Sequence, residues 1–441
     1  MENVDTLIAA RWVIPVQPAG VVLDAHSVAV RDGVIVAVLP SGEAARRFAA
    51  AETVELADHA LIPGLINLHT HAAMNLMRGL ADDLPLPTWL SETIWPSEAK
   101  HVSPIFVRNG TRLACMEMLR GGITCFNDMY FYPEAAAQAA IDCGMRAAIG
   151  IITIDIPTAY AADADDYLAK GLAARDRYND EPLISFCMAP HAPYTVSDRA
   201  FARVVTLAEE LDMPIHLHLH ETLGEIEGSL ARHGRRPLQR MHSLGVLGPR
   251  LIAVHGVHLD DHEIELLARH GASVAHCPSS NLKLASGFAP LHKLHTAGVN
   301  IGLGTDGAAS NNRLDMFQEM RLAALLAKGS SGNTQALPAQ AALHAATLGG
   351  ARALGLDRTL GSIEPGKAAD LCAVEFTAPG LLPCYHPISQ LVYAAGRENV
   401  SNVWVGGKLR LRYGESTGNT TADMDKIALL WQDKLSIETK G

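Results

Sequence analysis

The sequence predicts an α/β protein: a (β/α)₈ barrel of the TIM type with a small discontinuous β-sandwich built from both chain ends. Three observations predict it. Between about residues 62 and 361, eight short apolar runs alternate with helical stretches, which is the pattern of parallel βα units. In nearly every run the apolar half comes first and His, Asp or Glu comes last, so polar groups gather at the C-terminal rim of a barrel. The flanking segments read as short strands with turns, able to pair with each other outside the barrel. The limits that follow are 1–61 and 362–441 for the sandwich, the second part with a terminal helix, and 62–361 for the barrel.

The bulk properties agree with this architecture. A chain of 441 residues is too long for one small core and favours a large domain plus an accessory one. A formal net charge of −11 argues against nucleic acid as a partner. Seven scattered cysteines with no C-x-x-C pair fit reduced, buried thiols in a cytoplasmic protein. The N-terminus lacks a basic segment followed by a long apolar core, so no secretory signal is expected, and no apolar stretch is long enough for a membrane span.

Taken in order, TLIAARWVIPV and SVAVRDGVIVAVLP are strands, with Asp32-Gly33 as a hairpin signal. The eight barrel runs are ALIPGLINLHTH, ITCFNDM, RAAIGIITID, LISFCMAPH, PIHLHLHE, LIAVHGVHL, SVAHCPSS and NIGLGTDG. Between them, FVRNGTRLACMEMLRGG reads as a helix that stops at a Gly pair, and SDRAFARVVTLAEELDM as one capped by Ser197. Residues Asn75 to Gly79 read as loop. Beyond 362, LGSIEPGKAADLCAVEF and NVSNVWVGGKLRLRYG restore β character, the latter with a Gly406-Gly407 turn, and MDKIALLWQDKLSIETKG reads as an amphipathic helix.

The chemistry starts at PGLINLHTH, where His69 and His71 share one face of a strand end. Two neutral imidazoles on a rigid strand suit a borderline dication. The fifth run places His216, His218 and His220 on one face by period two, with the last two near the rim and Glu221 turning toward the mouth. His255 and His258 end the sixth run, and Asp306 ends the eighth among glycines that leave the rim open. A carboxylate there can bind a metal through one oxygen and take a proton from water with the other. Three imidazoles and a carboxylate leave room for a water whose pKa a dication lowers toward neutrality. Elsewhere His59, His101, His233, His242, His262, His270, His292 and His295 read as loop or helix-surface residues.

PGLINLHTH, HLHLHET, HGVHL, HCPSSNLKL and GTDG, in this order and spacing, resemble the amidohydrolase superfamily, and within it the purine and triazine deaminases and chlorohydrolases. The resemblance covers essentially the whole chain. It implies that His218 is the ligand preceding a catalytic Glu221, that His220 holds a position that need not be polar, and that His69, His71, His218 and Asp306 hold one metal. That metal is expected to be Zn²⁺, with Fe²⁺ or Mn²⁺ also compatible with the ligands. No lysine ends the third or fourth run, so the carbamylated-lysine bridge of binuclear relatives is not expected. The H-x-E and P-C-x-x-C signatures of cytidine deaminases are also missing. In the implied reaction Glu221 delivers a proton to the ring nitrogen of the substrate. Asp306 takes one from water and passes it to the leaving ammonia, and His255 orients the hydroxide.

The resemblance extends to the 5'-methylthioadenosine and S-adenosylhomocysteine deaminases. Glu98, in WPSE, resembles their ribose-binding carboxylate, and His191, in APHAPYT, a substrate-contacting histidine. Trp89 is a residue that could cover the adenine or the 5' substituent. S-adenosylhomocysteine-competent relatives carry arginines beyond the third run, but residues 147 to 174 contain none here and include Asp155, Asp163, Asp165 and Asp166. The expectation is a purine nucleoside deaminase preferring 5'-methylthioadenosine, with adenosine weaker and S-adenosylhomocysteine poor. The alternatives are a guanine-type base deaminase, a triazine-type hydrolase, or a non-enzymatic barrel scaffold. A homodimer is the default assembly.

Overall fold

A computed structural model describes residues 1–418 and 421–436. The N-terminal segment forms β1 (Glu2–Val13), β2 (Leu23–Arg31), β3 (Val34–Pro40) and β4 (Phe48–Pro63). The barrel strands are β5 (Leu65–Thr70), β6 (Ile123–Asp128), β7 (Arg146–Thr153), β8 (Ile184–Pro190), β9 (Ile215–Leu219), β10 (Leu251–His255), β11 (Ser273–His276) and β12 (Asn300–Leu303). The chain then returns through β13 (Leu371–Glu375), β14 (Val400–Val405), β15 (Lys408–Arg412) and β16 (Glu415–Ser416).

Strands β5 to β12 are hydrogen-bonded in sequence order, each parallel to the next. All eight apolar runs therefore become barrel strands, although the first divides at Gly64. ALIP completes β4, and LINLHT forms β5. The barrel closes where β12 meets β5. The Asp306 amide donates to the His69 carbonyl at 2.9 Å. A Cβ on Gly304 would stand 2.8 Å from both Cβ and N of His69, so the approach that brings Asp306 to the histidines needs glycine at that position.

The two chain ends combine as expected, in one continuous mixed sheet with order β16-β15-β14-β13-β4-β1-β2-β3. The strand that joins them is β4, parallel to β1 and antiparallel to β13. The sheet curls on itself. Ile8, Val30 and Ile35 share a buried cluster with Leu371, Ala373 and Trp404, and Gly33 lies against Gly406 and Gly407. The two hairpin turns legible in the sequence thus abut at the closing edge. Burying a side chain such as Ile8 or Leu371 contributes about 1.5–3 kcal/mol, and such burial holds two segments distant in sequence as one unit.

The helices follow their signals. Pro104–Arg120 ends at Gly121 and Gly122, and Asp198–Glu210 is capped by Ser197, whose Oγ accepts the Ala200 amide at 3.3 Å. The C-terminal helix begins earlier than its apolar pattern, at Thr421, and runs to Ser436. The last part of the expected helix, 437–441, lies outside the described residues. The segment after His71 is not a plain loop: a 3₁₀ helix covers Ala72–Met77, and consecutive helical turns run from Leu86 to His101. None of the helices among the described residues is long and apolar enough to cross a membrane.

Candidate metal centre and substrate cavity

At the C-terminal rim the strand ends leave regular geometry. His220, His255 and Asp306 adopt φ of 57°, 72° and 61°, the left-handed region that non-glycine residues occupy at a cost and that clusters at functional sites. These kinks turn consecutive side chains out of simple alternation.

His69 and His71 from β5, His218 from β9 and Asp306 after β12 converge. His69 Nε2 stands 3.1 Å and His71 Nε2 3.2 Å from Asp306 Oδ1, and the Nε2 atoms of His69 and His218 are 3.3 Å apart. Donors held by one tetrahedral ion at roughly 2.0–2.2 Å lie roughly 3.3 to 3.5 Å from one another, so the spacing fits a bound dication. The tautomers fit as well. His71 Nδ1 donates to the Met129 carbonyl at 2.6 Å, and His218 Nδ1 to the His191 carbonyl at 2.8 Å, which leaves each Nε2 as a lone pair. His69 Nδ1 donates to Nε2 of His216 at 2.9 Å. Lone pairs facing each other at such separations repel unless a cation lies between them. Burial lowers His69 to about 4 and His218 well below the usual range, keeping both in the neutral, metal-binding form. Burial would also lower His71, but the hydrogen bond and charge of Asp306 outweigh it and raise that ring to about 9. The carboxylate thus favours positive charge at this point, whether proton or metal. His255 forms a second possible ligand group with His69 and His218, so spacing alone does not separate a ligand from an orienting base.

Around these groups lies support that the sequence did not reveal. Ser280 and Ser310 donate to Asp306 Oδ2 at 2.6 and 2.8 Å, turning Oδ1 to the histidines. Asn281 Oδ1 accepts from His255 Nδ1 at 2.9 Å. Asp128 Oδ1 accepts the Ala72 amide at 2.7 Å, fixing the chain just beyond His71. Glu225, buried in the first turn of the following helix, accepts the amides of His220 and Glu221 at 3.0 and 2.9 Å. His216, one of three histidines assigned to a single face, serves as the partner of His69. His220 departs from that expectation: its ring leaves the rim, with Nε2 at 3.1 Å from the Leu238 amide and 3.2 Å from Glu263. His258 likewise turns away, to the Ser286 carbonyl at 2.8 Å.

A cavity of about 530 Å³ opens over the metal cluster, within the range of about 300–1,000 Å³ for small-molecule sites. His71, Trp89, Glu98, His191, His218, Glu221, His255 and Asp306 all line it, and His69 lies buried beneath. Glu221 Oε2 is 3.8 Å from His255 Nε2, and burial raises the Glu221 carboxyl. Tyr130 Oη donates to Glu98 Oε1 at 2.7 Å, while burial, the larger effect, raises Glu98 to about 7. His191 Nδ1 lies 2.9 Å from Thr195 Oγ, whose hydroxyl donates to the Ala192 carbonyl, so Nε2 is an acceptor. The far wall is apolar, with Leu86, Phe131, Ile154, Ile156 and Pro157. Asp155, Asp163, Asp165 and Asp166, the acidic residues of 147–174, do not line it. Asp163 caps a helix, Asp165 pairs with Arg199 and Arg203, and Asp166 with Lys170. Among the described residues no lysine or arginine lines the cavity either.

Residues 60–410 match the amidohydrolase family. The chain belongs to that family. Among the relatives of this amidohydrolase, the 5-methylthioadenosine/S-adenosylhomocysteine deaminase of Saccharophagus degradans is 46% identical over 434 residues, 98% of this chain and 97% of the other. The 5'-deoxyadenosine deaminase of Methanothermobacter thermautotrophicus is 44% identical over 355 residues, 80% and 82% of the two chains. A crystal structure of an adenosine deaminase from Xanthomonas campestris with bound zinc superposes with a TM-score of 0.98 at 52% identity, covering 99% of both chains.

Proposed function

We propose that this amidohydrolase is a zinc-dependent hydrolytic deaminase of adenine nucleosides, acting best on 5'-methylthioadenosine, less well on adenosine and poorly on S-adenosylhomocysteine. The names of its relatives support nucleoside deamination. The observation that carries the substrate preference is the composition of the cavity: a carboxyl at Glu98, an apolar far wall and, among the described residues, no lysine or arginine. Glu98 suits ribose hydroxyls as an acceptor, and His191 Nε2 offers another. A methylthio group gains from the apolar wall, whereas the carboxylate of an amino-acid tail would be desolvated there without a guanidinium to pair it.

His69, His71, His218 and Asp306 would hold the zinc, which supplies a water ionisable near pH 7. Glu221, whose carboxyl burial raises, delivers a proton to the ring nitrogen next to the attacked carbon, where negative charge develops. Asp306 receives the proton of the attacking water and returns it to the departing ammonia. The His255 ring, fixed through Asn281, directs Nε2 toward the nucleophile and toward Glu221. Trp89 covers the bound base or its 5' substituent and excludes solvent.

The test is ammonia release by the zinc-loaded protein from 5'-methylthioadenosine, adenosine and S-adenosylhomocysteine compared at equal concentration. A higher kcat/KM for S-adenosylhomocysteine overturns the ranking. A free-base deaminase would show itself differently, because Glu98→Ala should then leave the best substrate unaffected.

A further inference from the structure

The HCPSSNLKL motif contributes Ser280 and Asn281 to the site, but nothing in the proposed reaction uses its lysine. Lys283 ends the helix Pro278–Lys283 and reaches two other rim loops. Its Nζ donates to Asp82 Oδ1 at 2.6 Å, to the Ala309 carbonyl at 3.0 Å and to Asn312 Oδ1. The three donors of the ammonium are thereby satisfied. Asn312 Nδ2 closes the ring by donating to Asp82 Oδ2 at 2.8 Å, and Arg78 donates to the Asn312 carbonyl at 2.6 Å. Both oxygens of Asp82 are thus engaged.

Each loop meeting here carries part of the candidate site. The loop after β11 holds Ser280 and Asn281, partners of Asp306 and His255. The loop after β12 holds Ser310, a second partner of Asp306. Asp82 belongs to the segment after β5 that continues through Trp89 to Glu98. From that loop, Asp82 reaches across the rim to the other two.

We propose that Lys283, through Asp82 and Asn312, is a positioning residue that fixes the segment carrying Trp89 and Glu98 against the loops of the metal centre, and so sets affinity for the nucleoside. The inference rests on the proposed nucleoside reading for its kinetic part. Its structural part stands independently.

The Lys283–Asp82 pair is part-exposed, with side-chain accessibilities of 21% and 37%, so salt screens it. The proposed substrate is uncharged, so a salt-dependent KM reports on this pair rather than on electrostatic steering of the ligand. Asp82→Ala should raise KM for 5'-methylthioadenosine about two- to fivefold, the scale of one part-exposed ion pair, with kcat within about twofold and metal content unchanged. Sodium chloride should raise the wild-type KM and leave that of Asp82→Ala flat. Lys283→Met, which also frees Ala309 and Asn312, should lower kcat as well. Amide exchange across residues 79–98 of the zinc-loaded protein, measured without substrate, should speed up in both variants. Unchanged exchange there, or a KM equal to wild type with the same salt dependence, overturns the proposal. A wild-type enzyme inert toward every adenine nucleoside would instead overturn the functional reading, with exchange still deciding this one.

Discussion

Glu221 and Glu98 face the same cavity, yet their surroundings suit them to different tasks. At Glu221 burial raises the carboxyl against the opposing charges of His255 and His71, a shift in the direction a general acid needs. Glu221→Gln should lower kcat by about 10²–10⁴-fold, the usual worth of a general acid, with zinc content by elemental analysis unchanged. Wild-type turnover in that variant would remove Glu221 from the mechanism. Glu98 is pushed up to about 7 by burial, opposed by the Tyr130 hydrogen bond and the His71 charge. In the proposed binding mode ribose hydroxyls would donate to the ionised carboxylate, so binding would favour the deprotonated form. Below pH 7 the group protonates and loses acceptor strength, so KM should rise toward acid and fall to a plateau above about pH 8. Tyr130→Phe removes the donor that stabilises the charge and should move this limb to higher pH. A KM profile from pH 5.5 to 9 checks both, and an acid limb that persists in Glu98→Gln assigns it to another group.

At the level of single elements, glycine at 304 decides how closely β12 can approach β5. Gly304→Ala would force a Cβ to 2.8 Å from His69, and backbone on both sides leaves little room for adjustment. Such overpacking costs about 1–3 kcal/mol, and here the displaced group is a proposed metal ligand. Reduced zinc affinity together with a lower Tm is the expected result, and a variant with wild-type values for both would show that the seam can give. The strands of the barrel were legible because each is an apolar run ending in a polar residue; the ends of β5, β9 and β10 and the turn after β12 bring His69, His71, His218, His255 and Asp306 around one cavity, whereas His220 and His258 turn away from it. The long β4 was not legible: alternation through AETVELAD is weak, and its two neighbours, β1 and β13, come from opposite ends of the chain. Nor were the partners of the site residues. Asn281 lies 26 positions from His255, and Ser280 26 from Asp306, separations at which no local period carries information. His220 shows the limit of alternation itself, since a left-handed φ at the strand end turns it out of the face that spacing assigned to it.

For the whole molecule, the metal and the barrel seam are one problem. His69 and His71 come at the end of the first barrel strand and Asp306 from the loop after the last, so the proposed ligands straddle the closure between β5 and β12, while His218 would anchor them to β9 on the opposite side of the barrel. A cation that binds the folded arrangement and not the unfolded chain stabilises it by RT ln(1 + [L]/Kd), about 4 kcal/mol at a thousandfold excess over Kd. Without it, the Nε2 lone pairs of His69 and His218 face each other at 3.3 Å, and the seam loses its cross-link. Chelation should therefore lower Tm, and zinc should restore it. Amide exchange should rise first in β5 and β12, while β13 and β14, buried in the separate curled sheet with Trp404 and Leu371, stay protected. Asp306→Asn, which keeps the shape but weakens the ligand, should behave like the chelated wild type and respond little to added chelator. Equal Tm with and without zinc, or loss of protection spread evenly over both sheets, would mean that closure of the barrel does not depend on the metal.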